Sequence, residues 1–137
     1  KINVNKYMFQ FVLNNKGKDK VILVTDSMRA GCMEDGEYEL GGQVVYVKEN
    51  SARLENGTLA GSVLTLNKAV YNFLGNTNLK LHEAICLASL NPAKSINIEN
   101  RKGSLDIGKD ADISLFDKDM NCYLTIVEGE EVFNKII

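Results

Sequence analysis

The 137-residue sequence has no tryptophan, one proline, three cysteines and a single histidine. That histidine, His82, has no second histidine or Cys-x-x-Cys pair at metal-ligand spacing. We therefore expect no metal site within this chain and predict that His82 lies at its surface or at the boundary of its core. The sequence also lacks a glycine-rich phosphate loop and a Gly-x-Ser-x-Gly motif, which excludes the common phosphate-loop and serine-nucleophile sites.

Charge and hydrophobic patterning exclude further classes of partner. The formal net charge is −2, so no basic field is available for nucleic acid. No run of 18 apolar residues occurs, and the first residues do not resemble a signal peptide. The cysteines, Cys32, Cys86 and Cys122, are odd in number and scattered, as is typical of reduced structural thiols. We therefore expect a cytoplasmic protein with neither a nucleic-acid nor a membrane partner.

The most informative stretch is VILVTDSM at residues 21–28. Its four consecutive aliphatic residues predict a strand buried on both faces, as in a parallel sheet. Asp26 follows at the carboxyl end, where barrels and open α/β sheets place their catalytic groups. An aspartate there can also cap a turn, so these residues alone leave catalysis and turn capping both open.

The remaining elements follow from periodicity and turn chemistry. Apolar spacing predicts helices over about residues 5–15, 65–75 and 81–88, with a further short turn at Asn91-Pro92. Short strands are predicted at residues 38–40, 44–47, 52–54, 112–116, 124–127 and 131–133, with Gly41-Gly42 as a tight hairpin turn. The acids at positions 34, 35, 37 and 39 are interpreted as a solvated edge.

The segment NGTLAGS at residues 56–62 is predicted to be a loop rich in small residues. Its two glycines allow the backbone to approach a ligand or another element closely. A plain connector loop is the other interpretation, and the residues alone do not decide between the two.

Four segments together resemble a known family. LVTDSM at 23–28, GEYELGG at 36–42 and NGTLAGS at 56–62 resemble the N-acetylglucosamine-6-phosphate deacetylase family of the amidohydrolase superfamily. KGSLDIGKDADI at 102–113 is similar to the tail that many amidohydrolases share, and Asn91-Pro92-Ala93 before it also fits. Another amidohydrolase, dihydroorotase-like or urease-like, would share only this tail.

The resemblance implies an α/β fold with additional β structure. Family members combine a (β/α)₈ barrel with a small β-sandwich. This chain would be the C-terminal portion, without roughly the first two-thirds. Residues 1–30 would end the barrel with a helix and its final strand, and residues 31–55 would form a β meander. Residues 56–101 would supply an active-site loop and closing helices, and residues 102–137 the C-terminal sandwich strands.

The resemblance also implies a mechanism. Family members hydrolyse the acetamide of N-acetylglucosamine 6-phosphate, a small sugar phosphate, with a divalent metal, zinc or iron, held by residues upstream of this chain. Asp26 would be the catalytic general base and then general acid. Leu59, Ala60 and Gly61 would lie along the substrate. Asn3 stands where the family has a substrate-binding histidine. No metal is expected on this portion alone, which should be inactive.

Two further expectations concern association. A partial barrel leaves apolar surface exposed, so the chain is expected to form a homodimer or to self-associate. The alternative to an enzyme portion is a stand-alone, non-catalytic binding or assembly module of the same ancestry.

Overall fold

The computed structural model describes residues 4–136. This range contains two antiparallel sheets and four α-helices. In chain order the elements are α1 (Tyr7–Lys16), a 3₁₀ turn (Lys18–Lys20), β1 (Gly36–Leu40), β2 (Gln43–Lys48), β3 (Ser51–Arg53), β4 (Leu59–Gly61), α2 (Leu66–Leu74), α3 (Leu81–Cys86), α4 (Leu90–Ser95), β5 (Ile113–Phe116), β6 (Cys122–Val127) and β7 (Glu130–Asn134). The sheets have the orders β1-β2-β3-β4 and β5-β6-β7. Within the described range, no helix has the length and apolar character needed to cross a bilayer.

Local turn chemistry explains the first sheet. Gly41 and Gly42 have φ values of +59° and +79°, and they join Leu40 to its partner Gln43. Two consecutive residues with positive φ give a two-residue hairpin whose twist matches that of the strands. The predicted hairpin and the predicted third strand are both confirmed.

The prediction of a loop over residues 56–62 is wrong in part. Gly57, with φ +83°, reverses the chain, and Leu59–Gly61 then pairs antiparallel with β3 as a fourth strand. The sequence signal was weak because only three residues pair, and small residues have low intrinsic strand preference. The first sheet begins after Met28 and ends before Ser62, and the Met28 amide donates a hydrogen bond to the Ser62 carbonyl oxygen at 2.8 Å. This bond joins the two ends of the segment that forms the sheet.

The prediction of a strand buried on both faces at residues 21–25 is also wrong for this chain. The segment pairs with no strand among the described residues, and only Ser27 forms an isolated parallel bridge, to Ser62. Val21 is buried, but Val24 is 71% exposed. A central parallel strand needs neighbours on both edges, and residues 4–136 do not supply them.

Hydrogen bonds from other elements hold this segment instead. The Leu23 amide donates to the Leu87 carbonyl oxygen at 2.9 Å. The side-chain amide of Asn91, which is 5% exposed, donates to the carbonyl oxygens of Lys18 and Val21, both at 2.7 Å. A buried amide that satisfies two backbone acceptors removes two potential desolvation costs. The segment that ends in Asp26 is therefore anchored to the helices behind it.

Three clusters of buried side chains make up the described core. Leu13, Val21, Phe73 and Leu87 join α1 and α2 to the extended segment. The second cluster packs β2 and β3 against the segment before β1, and its buried members are Ala30, Val45, Val47 and Ala52. Val70, Ala84 and Met120 pack α2 and α3 against the turn before β6. Leu23 of the extended segment and Phe116 of β5 both pack on this third cluster, so α2 and α3 contact the extended segment and the carboxyl-terminal sheet.

Ionic contacts order the tail that precedes β5. Lys102 Nζ lies 2.6 Å from Asp112 Oδ2 and 2.9 Å from Asp110 Oδ2. Hydrogen bonds from Lys102 lower the pKa of both carboxyl groups, and the same bonds raise the pKa of Lys102. Asp112 also accepts a hydrogen bond from the Glu128 amide at 2.9 Å, which ties the tail to the turn between β6 and β7.

Gly103 lies where no side chain fits. Its φ is +92°, and a Cβ added there would lie 2.9 Å from Leu90 Cα and 3.0 Å from the Ser89 carbonyl oxygen. Both neighbours are backbone atoms at the start of α4, so neither can rotate away. Gly108, in the same tail, also has a positive φ of +89° but has nothing within 4 Å of an added Cβ.

We predict that Gly103→Ala is markedly more destabilising than the matched Gly108→Ala. Gly108→Ala should cost about 1–2 kcal/mol, since only the left-handed backbone opposes it. Gly103→Ala adds overpacking against backbone, which costs about 1–3 kcal/mol more. Urea unfolding of the two variants beside the parent measures both values. Equal losses of stability would show that the contact with α4 does not constrain residue 103.

Candidate active site

An open cleft of about 880 Å³ runs beside the extended segment. Residues 21–26 form its floor, α1 and α2 contribute walls, and the turn at Asn50-Ser51 and residues 61–65 close one end. The walls are largely apolar, with Phe9 and Phe73 stacked at a centroid distance of 5.0 Å. Ile22 and Val24 lie on the floor and are 38% and 71% exposed.

Asp26 lines this cleft at the end of the extended segment. It is exposed and has φ +50°, a left-handed conformation that aspartate tolerates better than most residues. The carboxylate accepts no hydrogen bond from the part of the chain that the structure describes, so the turn-capping interpretation receives no support. Ser27 and Met28, which follow it, are fixed to Ser62 by the bridge and the 2.8 Å hydrogen bond. The carboxylate is therefore available and its backbone is held on both sides.

Of the three loop residues predicted to lie along the substrate, the structure brings only Gly61 to the cleft. A Cβ at Gly61 would lie 3.2 Å from Met28 Sδ, so β4 packs closely on the Met28 side chain at this position. Leu59 pairs with Arg53, and Ala60 packs against the core of the first sheet, so neither lines the cleft. Asn3 lies outside the described residues.

Ser51 also lines the cleft, although the sequence interpretation did not single it out. Its Oγ atom is buried and has no hydrogen-bond partner among residues 4–136. Burying a hydroxyl without a partner costs about 1–3 kcal/mol. No sequence signal distinguishes it from other turn serines, because its burial arises from the fold of the whole sheet.

A metal ion does not fit the residues present. No group of three or more histidine, cysteine, aspartate or glutamate side chains comes together in the described range. His82 is exposed on α3, as predicted, and the three cysteines are free. The Asp26 carboxylate is an oxygen donor, but a single carboxylate does not make a closed metal site. No metal ligand is therefore assigned to this chain.

Comparison with known proteins identifies the class to which this fold and cleft belong. The chain matches the amidohydrolase family over residues 9–132, and it belongs to that family. Within the family it is similar to N-acetylglucosamine-6-phosphate deacetylases. That of Bacillus subtilis (strain 168) is 44% identical over 86% of this chain and 30% of the relative, and that of Lysinibacillus sphaericus is 42% identical over 93% and 33%.

The structural comparison agrees. The crystal structure of N-acetylglucosamine-6-phosphate deacetylase from Thermotoga maritima superposes with a TM-score of 0.86 and 37% identity, over 98% of this chain and 37% of that one. The resemblance stated from the sequence is therefore confirmed. The chain spans about a third of the length of the curated relatives named above.

Proposed function

We propose that this chain is the C-terminal portion of a metal-dependent deacetylase that hydrolyses the acetamide of N-acetylglucosamine 6-phosphate to glucosamine 6-phosphate and acetate. The observation that carries the proposal is the position of Asp26. Its carboxylate, which has no hydrogen-bond partner among residues 4–136, lines a cleft at the end of an anchored extended segment. Similarity to deacetylases over 86–93% of this chain supports the substrate class.

Asp26 would perform the proton transfers of amide hydrolysis. The attacking water must lose a proton as it adds to the carbonyl carbon, and the amine must gain one as the C–N bond breaks. One carboxylate can accept the first proton and deliver it to the second site, and such general acid–base catalysis contributes about 10²- to 10⁴-fold in rate.

The proposed metal is zinc or iron, with its ligands on residues outside this chain. A divalent metal, when bound, supplies polarisation of the amide carbonyl and acidification of water. Residues of this chain would contact the substrate instead. Gly61 offers backbone on the cleft wall, and Leu59 and Ala60, which do not line the cleft, lie in the same strand. An asparagine such as Asn3 can donate a hydrogen bond through its side-chain amide but carries no charge.

The proposed whole fold is a (β/α)₈ barrel with a small β-sandwich. Residues 21–26 would be the final barrel strand at the end of a unit spanning 1–30. Units 31–55, 56–101 and 102–137 would be the meander, the active-site loop with the closing helices, and the sandwich strands. The exposed side chains of Ile22 and Val24 support this proposal, because neighbouring strands would cover them.

We predict that Asp26→Asn lowers kcat of the complete protein by about 10²- to 10⁴-fold, since the amide cannot transfer the proton. Asparagine tolerates the left-handed backbone as aspartate does, so the fold should be retained. Acetate release from N-acetylglucosamine 6-phosphate with added zinc or iron measures the rate. The matched control is Asp19→Asn, an exposed carboxylate in the 3₁₀ turn, which should keep the parental rate.

Two results would contradict this assignment. Parental turnover by Asp26→Asn would reduce Asp26 to a structural residue. A complete parent protein that releases no acetate at all would favour the non-catalytic binding or assembly module.

We also propose that the 137-residue chain alone self-associates. The side chains of Tyr7, Phe11 and Val24 are 77%, 58% and 71% exposed, and extended apolar surface favours association. Sedimentation velocity at high micromolar concentration should show dimers or larger species. A single monomeric species at that concentration would be inconsistent with this proposal.

A further inference from the structure

The turn that follows the extended segment is capped by the side chain of Thr25. Thr25 Oγ1 accepts a hydrogen bond from the Ser27 amide at 3.4 Å, so this bond spans Asp26. Serine and threonine hydroxyls make such local bonds to the backbone in turns, as aspartate and asparagine side chains also do. The sequence left turn capping open as a role for Asp26. Its neighbour performs that role instead, and the Asp26 carboxylate stays free to line the cleft.

The backbone of Asp26 needs a restraint of this kind. Its φ of +50° lies in the left-handed region, which is disfavoured for residues with a side chain and persists where the surrounding structure imposes it. The Leu23 amide is bonded to Leu87 before the turn, and the Met28 amide is bonded to Ser62 after it. The bond from Ser27 to Thr25 joins the two residues that flank Asp26, so it acts directly on the φ and ψ angles of Asp26.

The far side of the turn is closely packed. A Cβ added at Gly31 would clash with Ser27 Oγ, and the Gly31 amide donates to the Met28 carbonyl oxygen at 2.9 Å. Ser27 also forms the isolated bridge to Ser62. The amide that Thr25 caps is therefore held in place from behind, which gives the threonine hydroxyl a fixed partner.

We propose that Thr25 is a positioning residue, whose hydroxyl caps the turn and thereby aims the Asp26 carboxylate at the reacting acetamide. The proposal rests on the deacetylase function proposed above. It assigns Thr25 no contact with the acetamide, since its effect on the reaction passes through Asp26. The two neighbouring residues thus divide the work at the end of the extended segment, because Thr25 fixes the backbone and Asp26 transfers the proton.

The test measures acetate release from N-acetylglucosamine 6-phosphate by the complete protein and its Thr25→Val variant. Valine keeps the branched shape and the preference for extended backbone but cannot accept the hydrogen bond. We expect kcat to fall by about 3- to 10-fold, the worth of one hydrogen bond between uncharged groups, with KM unchanged. Thr25→Ser, which retains the hydroxyl, should restore kcat. Thr125→Val in β6, which removes a threonine hydroxyl outside the cleft, is the matched control and should behave as the parent.

A double-mutant cycle with Asp26→Asn separates positioning from a general loss of structure. Because Thr25 acts through the carboxylate, Thr25→Val should cause no further loss of kcat once Asp26 is asparagine. An equal loss of kcat in both backgrounds would overturn the proposal, and so would a raised KM with unchanged kcat or a Thr25→Val variant that keeps the parental rate.

A crystal structure of Thr25→Val in the complete protein is the second readout, because it does not depend on turnover. We expect the backbone of Asp26 to leave the left-handed region and its carboxylate to move. An unchanged φ with the carboxylate in its parental place would overturn the role of Thr25, even if Asp26 is confirmed as catalytic. An inactive parent would refute the deacetylase function, and the crystal structure would still decide whether Thr25 holds the turn.

Discussion

The buried amide of Asn91 is the constraint on which the site depends. Its two hydrogen bonds, to the carbonyl oxygens of Lys18 and Val21, fix the start of a segment that lacks strand neighbours in the described chain. The Leu23 amide adds a second attachment, to Leu87. Ordering the backbone of an extended segment costs about 1–2 kcal/mol of conformational entropy per residue. These hydrogen bonds help to offset that cost in a segment that has no strand beside it among residues 4–136. The position of Asp26 thus follows from helices that lie more than sixty residues later in the chain.

Two segments that carry the family resemblance, the tail at residues 102–113 and the segment around Asp26, differ in their local structure. The tail that many amidohydrolases share stabilises the fold. Lys102 forms ion pairs with Asp110 and Asp112, and Gly103 packs closely against the start of α4. The segment around Asp26 has the opposite character, since its carboxylate is exposed and its backbone adopts an unusual conformation. Strained, available polar groups on an anchored backbone are what a functional site requires. The tail is therefore structural, whereas the segment around Asp26 has the exposed carboxylate that the proposed catalytic role needs.

Local chemistry made much of the fold predictable. The Gly41-Gly42 hairpin, the helix that ends before Gly75 and the three carboxyl-terminal strands follow from turn residues and periodicity, and the structure has all of them. Features that depend on distant contacts were not predictable. Val24 is exposed because residues 4–136 supply no strand beside it. The pairing of β4 depends on a short register with β3, and the burial of Ser51 Oγ depends on the packing of the whole sheet. At the cleft, Asp26 was singled out from its position after an aliphatic run, whereas Ser51 was not, and the catalytic role of Asp26 stays a prediction.

The central claim is that Asp26 transfers protons to and from the acetamide. The most direct measurement is a crystal structure of the complete protein, as its Asp26→Asn variant, with N-acetylglucosamine 6-phosphate bound. The account predicts the side chain at position 26 within about 3 Å of the acetamide nitrogen, or of a water beside the carbonyl carbon. An acetamide bound elsewhere, with the position-26 side chain more than one water away, would contradict it.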